Sequence, residues 1–467
     1  MTDNPETSLA PFLSLRDDNE QIRREFVERV EQAIAAADAA ALHELVGNLH
    51  EADMGDVLEA LDPELRPRLI ELMGREFDFT ALTEVDEAVR DDILEELPSE
   101  TVAQGLREIE SDDAVEILKD LPKEEQTEIL DRLPPPERVA LARSLDYPED
   151  SAGRRMQTEF IAVPPLWTVG RTIDYMRETA ELPERFFEIY VVDAGHRFLG
   201  AVPLDLLLRS QRPVPLTALM EDDRHRVQAT DDQENVARLF EHYNLIAVPV
   251  VDAGDRLVGV IMHDDIVDVI EEEAEEDIRA LGGVSVEEEL SDSVWAIARG
   301  RFKWLLVNLG TAFLASAVLG LFEGELQKMV ALAVLAPIVA SQGGNASTQT
   351  MTVAVRALAT RDLTDLNARR VILREILVGL VNGLAFALIT GIVAYAWFKV
   401  PALGLVIGLA MICNLTAAAL GGVLIPLLLH RLRFDPAVAS SPFVTTVTDV
   451  VGFFSFLGIA TLWFGLK

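Results

Sequence analysis

Five apolar runs fill the last third of the chain, at 304–322, 329–355, 376–398, 400–429 and 436–466. Each reaches the ~18–25 residues that a helix needs to cross a bilayer, and the last is interrupted only by Asp449. Earlier, from 52 to 145, apolar positions recur at helical spacing in short stretches that restart after prolines in a shared context: Leu61-Asp62-Pro63-Glu64, Leu97-Pro98-Ser99-Glu100, Leu121-Pro122-Lys123-Glu124 and Leu133-Pro134-Pro135. Proline followed by acidic residues is a helix-start signal, and the unequal spacing predicts a helical superhelix without a strict repeat. Between 153 and 270 the pattern changes to strands. Val191-Val192-Asp193-Ala194-Gly195-His196-Arg197-Phe198-Leu199-Gly200 recurs 59 residues later as Val250-Val251-Asp252-Ala253-Gly254-Asp255-Arg256-Leu257-Val258-Gly259. Each copy reads as strand, tight turn, strand, then a helix begun near Asp205 or Asp264, with a helix before it. Thr230-Asp231-Asp232-Gln233 has capping-box spacing. The predicted fold class is multidomain: an all-α superhelical N domain, a paired α/β module, and an α-helical bundle of five spans.

Charge divides the chain at the same place. The formal net charge is −38, yet the residues from Arg299 onward hold 13 Lys and Arg against 7 Asp and Glu, a net of +6, so the first 298 carry −44. A purely soluble acidic protein and a purely embedded one are both excluded. So is nucleic-acid binding through a basic surface. Residues 1–20 are acidic and lack a basic start with an apolar core, so no cleavable signal peptide is expected, and about the first twenty residues are expected to be disordered. Cys413 is the sole cysteine, which fits a module facing a reducing cytosol. Arg299, Arg301, Lys303, Arg356, Arg361, Arg369, Arg370, Arg374, Arg431 and Arg433 fall at one set of span ends, and Lys328, Lys399 and Lys467 at the other. By the positive-inside rule the acidic N-terminal module is cytosolic and the C-terminus outside.

Within the spans Asp449 is the informative exception, in Thr445-Thr446-Val447-Thr448-Asp449-Val450-Val451-Gly452. An intramembrane charge costs at least about 2.5–3.5 kcal/mol on insertion scales, and no Lys or Arg lies deep in a span to neutralise it. A cation site facing a wet pathway accounts for it, with the threonines as further oxygen ligands; the alternative is a protonated Asp hydrogen-bonded to Thr or Asn. Span two carries Pro337, Gly343, Gly344 and Asn345, with Gln342 and Gln349. The paired glycines allow close backbone approach or a local break that turns carbonyl oxygens to a cavity; a small-residue packing face is the alternative. A lone carboxylate suits Mg²⁺, which keeps several of its waters. Five helices are few for enclosing a pore, and a twofold homodimer would bring two copies of Asp449 toward the axis. The run from Asp264 to Asp277 should repel itself as a helix, and divalent cations bridging these carboxylates would make it a metal-sensing gate.

Together these residues resemble the MgtE family of magnesium channels and transporters over nearly the whole chain. The resemblance implies an N domain at 1–150, CBS (cystathionine-β-synthase-type) domains at 151–212 and 213–272, a connecting plug helix at 273–300, and a five-helix pore domain at 301–467 in a homodimer. The most specific stretches are Gly343-Gly344-Asn345 with Gln349, and Pro442 to Gly452; Ser347 stands where the family usually has glycine. It further implies that Asp449 holds hydrated Mg²⁺, with Ser441 and Thr445 on the same face below it and Asp435 at the cytosolic mouth. Regulatory Mg²⁺ sites are implied at Asp112 and Glu116, at Asp232, Glu234, Asp265 and Asp268, and at Glu273, Glu276 and Asp277, with Asn244 where the family can offer a carboxylate. Mg²⁺ is thus both transported ion and regulatory ligand, high cytosolic Mg²⁺ favours closure, and ATP is a candidate ligand of the CBS pair. The expected function is Mg²⁺ uptake across the cell membrane. A carrier of Mn²⁺, Co²⁺ or Ca²⁺, or a membrane-anchored cation or nucleotide sensor that transports nothing, are the alternatives. No phosphate loop, activated nucleophile or Cys/His cluster points to an enzyme.

Overall fold

The computed structural model describes residues 15–17, 21–119, 121–179, 182–183, 185–221, 225–284, 294–364 and 366–466. They fall into two units, Met1–Glu271 and Glu272–Lys467. The first opens with short helices: α1 (Arg24–Ala35), α2 (Ala39–Val46), α3 (Glu51–Ala60), α4 (Arg66–Met73), α5 (Glu87–Glu96), α6 (Ser99–Gly105), α7 (Ser111–Leu118), α8 (Lys123–Arg132) and α9 (Pro135–Leu145). The recurring Leu-Pro pairs explain their packing. Pro98, Pro122 and Pro134 are the N-cap residues of α6, α8 and α9, where a fixed φ suits the turn into a helix. Leu97, Leu121 and Leu133 just before them are buried in one core together with Leu61, so each pair both starts a helix and pins its entry. Of the segment expected to be disordered, residues 1–14 and 18–20 lie outside the described residues. Arg16 does not fit that expectation: its Nη2 donates to Asp53 Oδ1 at 2.7 Å and it also pairs with Asp56.

The duplicated region forms two three-stranded sheets. The first repeat contains β1 (Ala162–Val163), α10 (Val169–Glu178), β2 (Glu188–Val192), β3 (Phe198–Pro203) and α11 (Leu204–Arg209); the second contains β4 (Val227–Gln228), α12 (Gln233–Tyr243), β5 (Ala247–Val251), β6 (Leu257–Met262) and α13 (His263–Gly282). In each, the short first strand lies parallel to the second and the third antiparallel to it. The repeated Asp closes the hairpin in both copies: Asp193 Oδ1 accepts from the N–H groups of Gly195 at 2.7 Å and Arg197 at 2.9 Å, and Asp252 Oδ1 from Gly254 at 2.8 Å and Arg256 at 3.0 Å. The two hairpins then pair, Phe198 N–H donating to Asp255 O and Leu257 N–H to His196 O.

Two expectations change here. The cut at 212/213 separates the sequence copies but not their packing: Ala152 and Met156 are buried in the second repeat's core, whereas Leu216 is buried in the first's. The N-cap of α12 is Asp232, not Thr230, because Asp231 Oδ2 accepts from Gln228 N–H at 2.8 Å and residues 228–231 make a turn of their own.

The second unit contains α14 (Val294–Gly320), α15 (Glu323–Lys328), α16 (Val330–Ala359), α17 (Ala368–Phe398), α18 (Pro401–Arg431) and α19 (Pro436–Phe464). All but the short α15 are long and apolar enough to span a membrane, as the apolar runs predict. Helix α18 is the most buried and packs against α16, α17 and α19. Small residues permit the closest of these approaches: a methyl group on Gly379 or Gly383 of α17 would meet Ala419 Cβ at 2.8 Å or Ile412 Cα at 3.0 Å. Helices α14 and α17 turn large apolar side chains such as Leu305, Phe313, Leu377 and Leu384 outward, as lipid contact requires. The continuous plug helix expected over 273–300 is not formed. Helix α13 begins at His263 and ends at Gly282, because Gly283 takes a left-handed φ of 70°; residues 285–293 lie outside the described residues, and 294–300 open α14.

Candidate functional site: an intramembrane carboxylate and an acidic cleft

The intramembrane site is built on α19, which runs unbroken through Pro442. Its N-cap is Asp435, an exposed residue whose Oδ1 accepts from Ala437 N–H at 2.7 Å. Ser441, Thr445 and Asp449 follow at four-residue steps and share one helix face. Asp449 is half-buried and forms no hydrogen bond or ion pair among the described residues. The neighbouring hydroxyls spend their protons on the helix: Thr445 donates to Ser441 O at 3.0 Å, Thr446 to Pro442 O at 2.6 Å and Thr448 to Thr445 O at 2.9 Å. The exposed Thr445 hydroxyl therefore keeps oxygen lone pairs that could accept from the waters of a hydrated cation, whereas Thr448 is fully buried.

Beside it, α16 continues as helix through Pro337 and the glycine pair, so the local break expected there is not formed. Gly343 is buried against Asn414 of α18, whereas Gly344 borders open space. Gly344 O already accepts from Ser347 Oγ at 2.8 Å and Thr348 Oγ1 at 3.0 Å. Asn345 and Gln349 are exposed, and Ser347 is fully buried.

In the first unit a cleft of about 1290 Å³ lies between the helical domain and the second CBS repeat, and it is lined by the carboxylates of Asp78, Glu84, Glu108, Glu110, Asp113, Glu159, Asp264, Asp265 and Asp268. Four basic side chains, His50, Arg75, Arg107 and Arg185, also border it. Burial, with Asp264 next, pushes the Asp265 carboxyl up to about 8, and burial with Glu110 and Asp78 pushes Asp113 up to about 7. Asp112 is raised well above the carboxylate range by burial and then by Asp265 and Asp113, and its Oδ1 is enclosed without a hydrogen-bond partner among the described residues. Glu159 holds the cleft's wall by capping α7: its Oε2 accepts from Ser111 Oγ at 2.7 Å and Ser111 N–H at 3.2 Å. Among the described residues, no three His, Cys, Asp or Glu side chains converge tightly enough to hold one metal ion, so any cation here would keep much of its water.

The other expected positions divide. Asp265 and Asp268 line the cleft, but Asp112, buried behind its wall, and Glu116 do not. Burial would raise the Glu116 carboxyl, yet Lys119 at 2.7 Å, Arg155 at 3.4 Å and Arg90 at 3.6 Å outweigh it and hold the group below its usual range. Asp232 serves as the N-cap of α12 and Glu234 pairs with Arg238 on the same helix. Glu273, Glu276 and Asp277 lie on α13 within the second unit. Asn244 ends α12 with a left-handed φ of 51°, a conformation that favours Asn and so gives this position a backbone role.

Family models match three stretches: the divalent cation transporter model, MgtE, over 336–459, the MgtE intracellular N domain over 49–150, and a CBS domain over 216–272. The chain is 37% identical over 319 residues to the magnesium transporter MgtE of Enterococcus faecalis, covering 68% of this chain and 70% of that one. The same coverage and 37% identity over 318 residues hold for the magnesium transporter MgtE of Thermus thermophilus. The chain belongs to the MgtE family. Two similar solved structures are the soluble part of a magnesium transporter, with 27% identity, 54% of this chain and 98% of that chain covered and a TM-score of 0.48, and the cytosolic domain of the Mg²⁺ channel MgtE in complex with ATP, with 29% identity, 52% and 99% covered and a TM-score of 0.48.

For this MgtE-family chain, sequence reasoning missed Asp113, Glu110 and Glu159 in the cleft, and Asn414 in the membrane. Glu116 carried a warning in Lys119, three residues on along α7 and its C-cap. Asn414 is the one Asn in α18, a signal that was present but silent about its partners.

Proposed function

We propose that this chain carries Mg²⁺ across the cell membrane as a homodimeric channel, with Asp449 holding the hydrated ion and the acidic cleft sensing cytosolic Mg²⁺. The observation that carries the reading is Asp449 itself, a carboxylate inside a span with no protein partner among the described residues. Such a group is stable there only with a proton or a cation. A hydrated Mg²⁺ supplies the cation and also donors for the hydroxyl oxygen of Thr445 beneath it. The magnesium transport named for the relatives is consistent with this.

Topology follows from the basic residues at alternate span ends, which put the acidic unit in the cytosol. Lys328 Nζ donates to Leu466 O at 2.6 Å, which agrees with one outer side for both. A homodimer fits this reading: α19 leaves Thr445 exposed in one chain, and a twofold copy would close the pathway over the face it shares with Ser441 and Asp449. In the cytosolic unit, Mg²⁺ entering the cleft would replace protons on Asp113 and Asp265, balance the charge of the carboxylates so formed, and draw the helical domain onto the CBS repeat. The gate then closes when Mg²⁺ is abundant.

Purified protein in liposomes loaded with a Mg²⁺ indicator tests the pore. Wild type should fill the vesicles under an inward gradient with low Mg²⁺ on the cytosolic face, and Asp449→Ala should not. Equal flux from the two would remove the assignment, and wild-type flux of Ca²⁺ or Mn²⁺ but not Mg²⁺ would transfer it to another divalent ion.

A further inference from the structure

Asn414 is among the most enclosed polar side chains near the pathway. It sits mid-way along the apolar α18 and is 0% exposed. Its Nδ2 donates to Val339 O of α16 at 2.7 Å. The amide fits only because two neighbouring helices lack side chains opposite it. A methyl group on Gly343 of α16 would lie 2.1 Å from Nδ2, and one on Gly452 of α19 would lie 2.9 Å from Nδ2 and 3.4 Å from Oδ1. Oδ1 is buried with no hydrogen-bond partner among the described residues. A leucine of similar size would fill this socket without stranding an acceptor, so packing alone does not account for the amide.

What the amide adds is register. A hydrogen bond to a backbone carbonyl fixes α18 against α16 along the helix axis, which apolar surfaces do not do. The contact at Gly452 passes that register to α19. Gly452 is three residues after Asp449, so the two lie on neighbouring strips of one helix face.

We propose that Asn414 is a positioning residue for permeation, a pin through α16, α18 and α19 that sets the depth and rotation of Asp449. The proposal rests on the assignment of Asp449 as the ion-holding carboxylate. It predicts that Gly343 and Gly452 are required as the walls of the socket, independently of any backbone opening.

The test is Mg²⁺ flux into liposomes as a function of external Mg²⁺, with the Mg²⁺ to Ca²⁺ flux ratio, for full-length Asn414→Leu, Gly452→Ala, Asn414→Ala and the double variant Asn414→Ala/Gly452→Ala. Asn414→Leu should keep the wild-type melting temperature and dimer elution while its half-saturating Mg²⁺ or its ion ratio moves about tenfold, the scale of coupling between contacting residues. Gly452→Ala should lose flux to a similar extent, and removing the amide in the double variant should restore part of it, because the added methyl then fills vacated space. If Asn414→Leu does not fold, the cycle between Asn414→Ala and Gly452→Ala decides alone. Wild-type half-saturation and ion ratio in Asn414→Leu, or strictly additive losses in the double variant, would overturn the proposal while leaving Asp449 in place. Wild-type flux in Asp449→Ala would overturn both.

Discussion

Replacing Asp265 by Asn should change how the cytosolic unit responds to pH, and the sign follows from the cleft. Burial and neighbouring carboxylates raise Asp265 from 3.8 to about 8 and Asp113 from 3.8 to about 7. Between roughly pH 4 and 8 the folded unit therefore binds protons that the unfolded chain has released, so stability without Mg²⁺ falls as pH rises through about 7 and 8. Each tenfold gain in proton affinity on folding is worth about 1.4 kcal/mol, which puts the ceiling for Asp265 at about 6 kcal/mol, lowered in practice because the cleft can open and hydrate. Mg²⁺ competes with those protons, so its apparent affinity should strengthen by up to about tenfold for each rise of one in pH up to about pH 7, for each proton displaced. The assay is denaturant unfolding of the fragment ending at Glu271, which forms a unit of its own, from about pH 5.5 to 8.5 with EDTA or Mg²⁺, a window that brackets both raised carboxyls. Wild type in EDTA should lose stability toward the alkaline end and regain it with Mg²⁺; Asp265→Asn should flatten the first trend and weaken the second. Apo stability that is flat or rises with pH, or a variant that keeps the full slope, would refute the reasoning.

Glu116→Gln should destabilise the same fragment by about 3 kcal/mol, because Arg90, 3% exposed, loses a carboxylate partner; Mg²⁺ titration should move far less than with Asp265→Asn. Leu121→Ala removes a fully packed anchor of the Leu-Pro series and should cost about 2–5 kcal/mol in denaturant unfolding. Asp193→Ala should lower the denaturant midpoint by freeing two turn N–H groups, and Asp252→Ala should lower it similarly, since the two hairpins use one turn chemistry. Deleting residues 1–271 should leave Mg²⁺ flux that no longer depends on Mg²⁺ at the cytosolic face, read in the same vesicles as the intact protein.

What the sequence makes legible is what periodicity and composition encode. The apolar runs foretell the spans because a bilayer sets their length. The repeated Val-Val-Asp-Ala-Gly foretells paired hairpins because one carboxylate closes each turn. Long-range partners leave no such trace. Nothing in the order of residues says that 151–157 pack with the second repeat, that Glu159 caps α7 forty-eight residues away, or that Asn414 fits the space left by Gly343 and Gly452. Local backbone geometry is equally hidden: Gly283 ends α13 through a left-handed φ, although the acidic run before it reads as if the helix could continue. The carboxylates show the same division. Their abundance is plain in the sequence, but burial raises Asp113 and Asp265, and three nearby cations hold Glu116 down.

Patch-clamp recording of the reconstituted protein, with Mg²⁺ stepped on the cytosolic face, tests in one trace the proposal that Asp449 carries permeation while the acidic unit carries control. Wild type should conduct inward Mg²⁺ current that shuts as cytosolic Mg²⁺ rises, and Asp449→Ala should conduct none at any level. Sustained Mg²⁺ current through Asp449→Ala, with the same closure as wild type, would contradict the account.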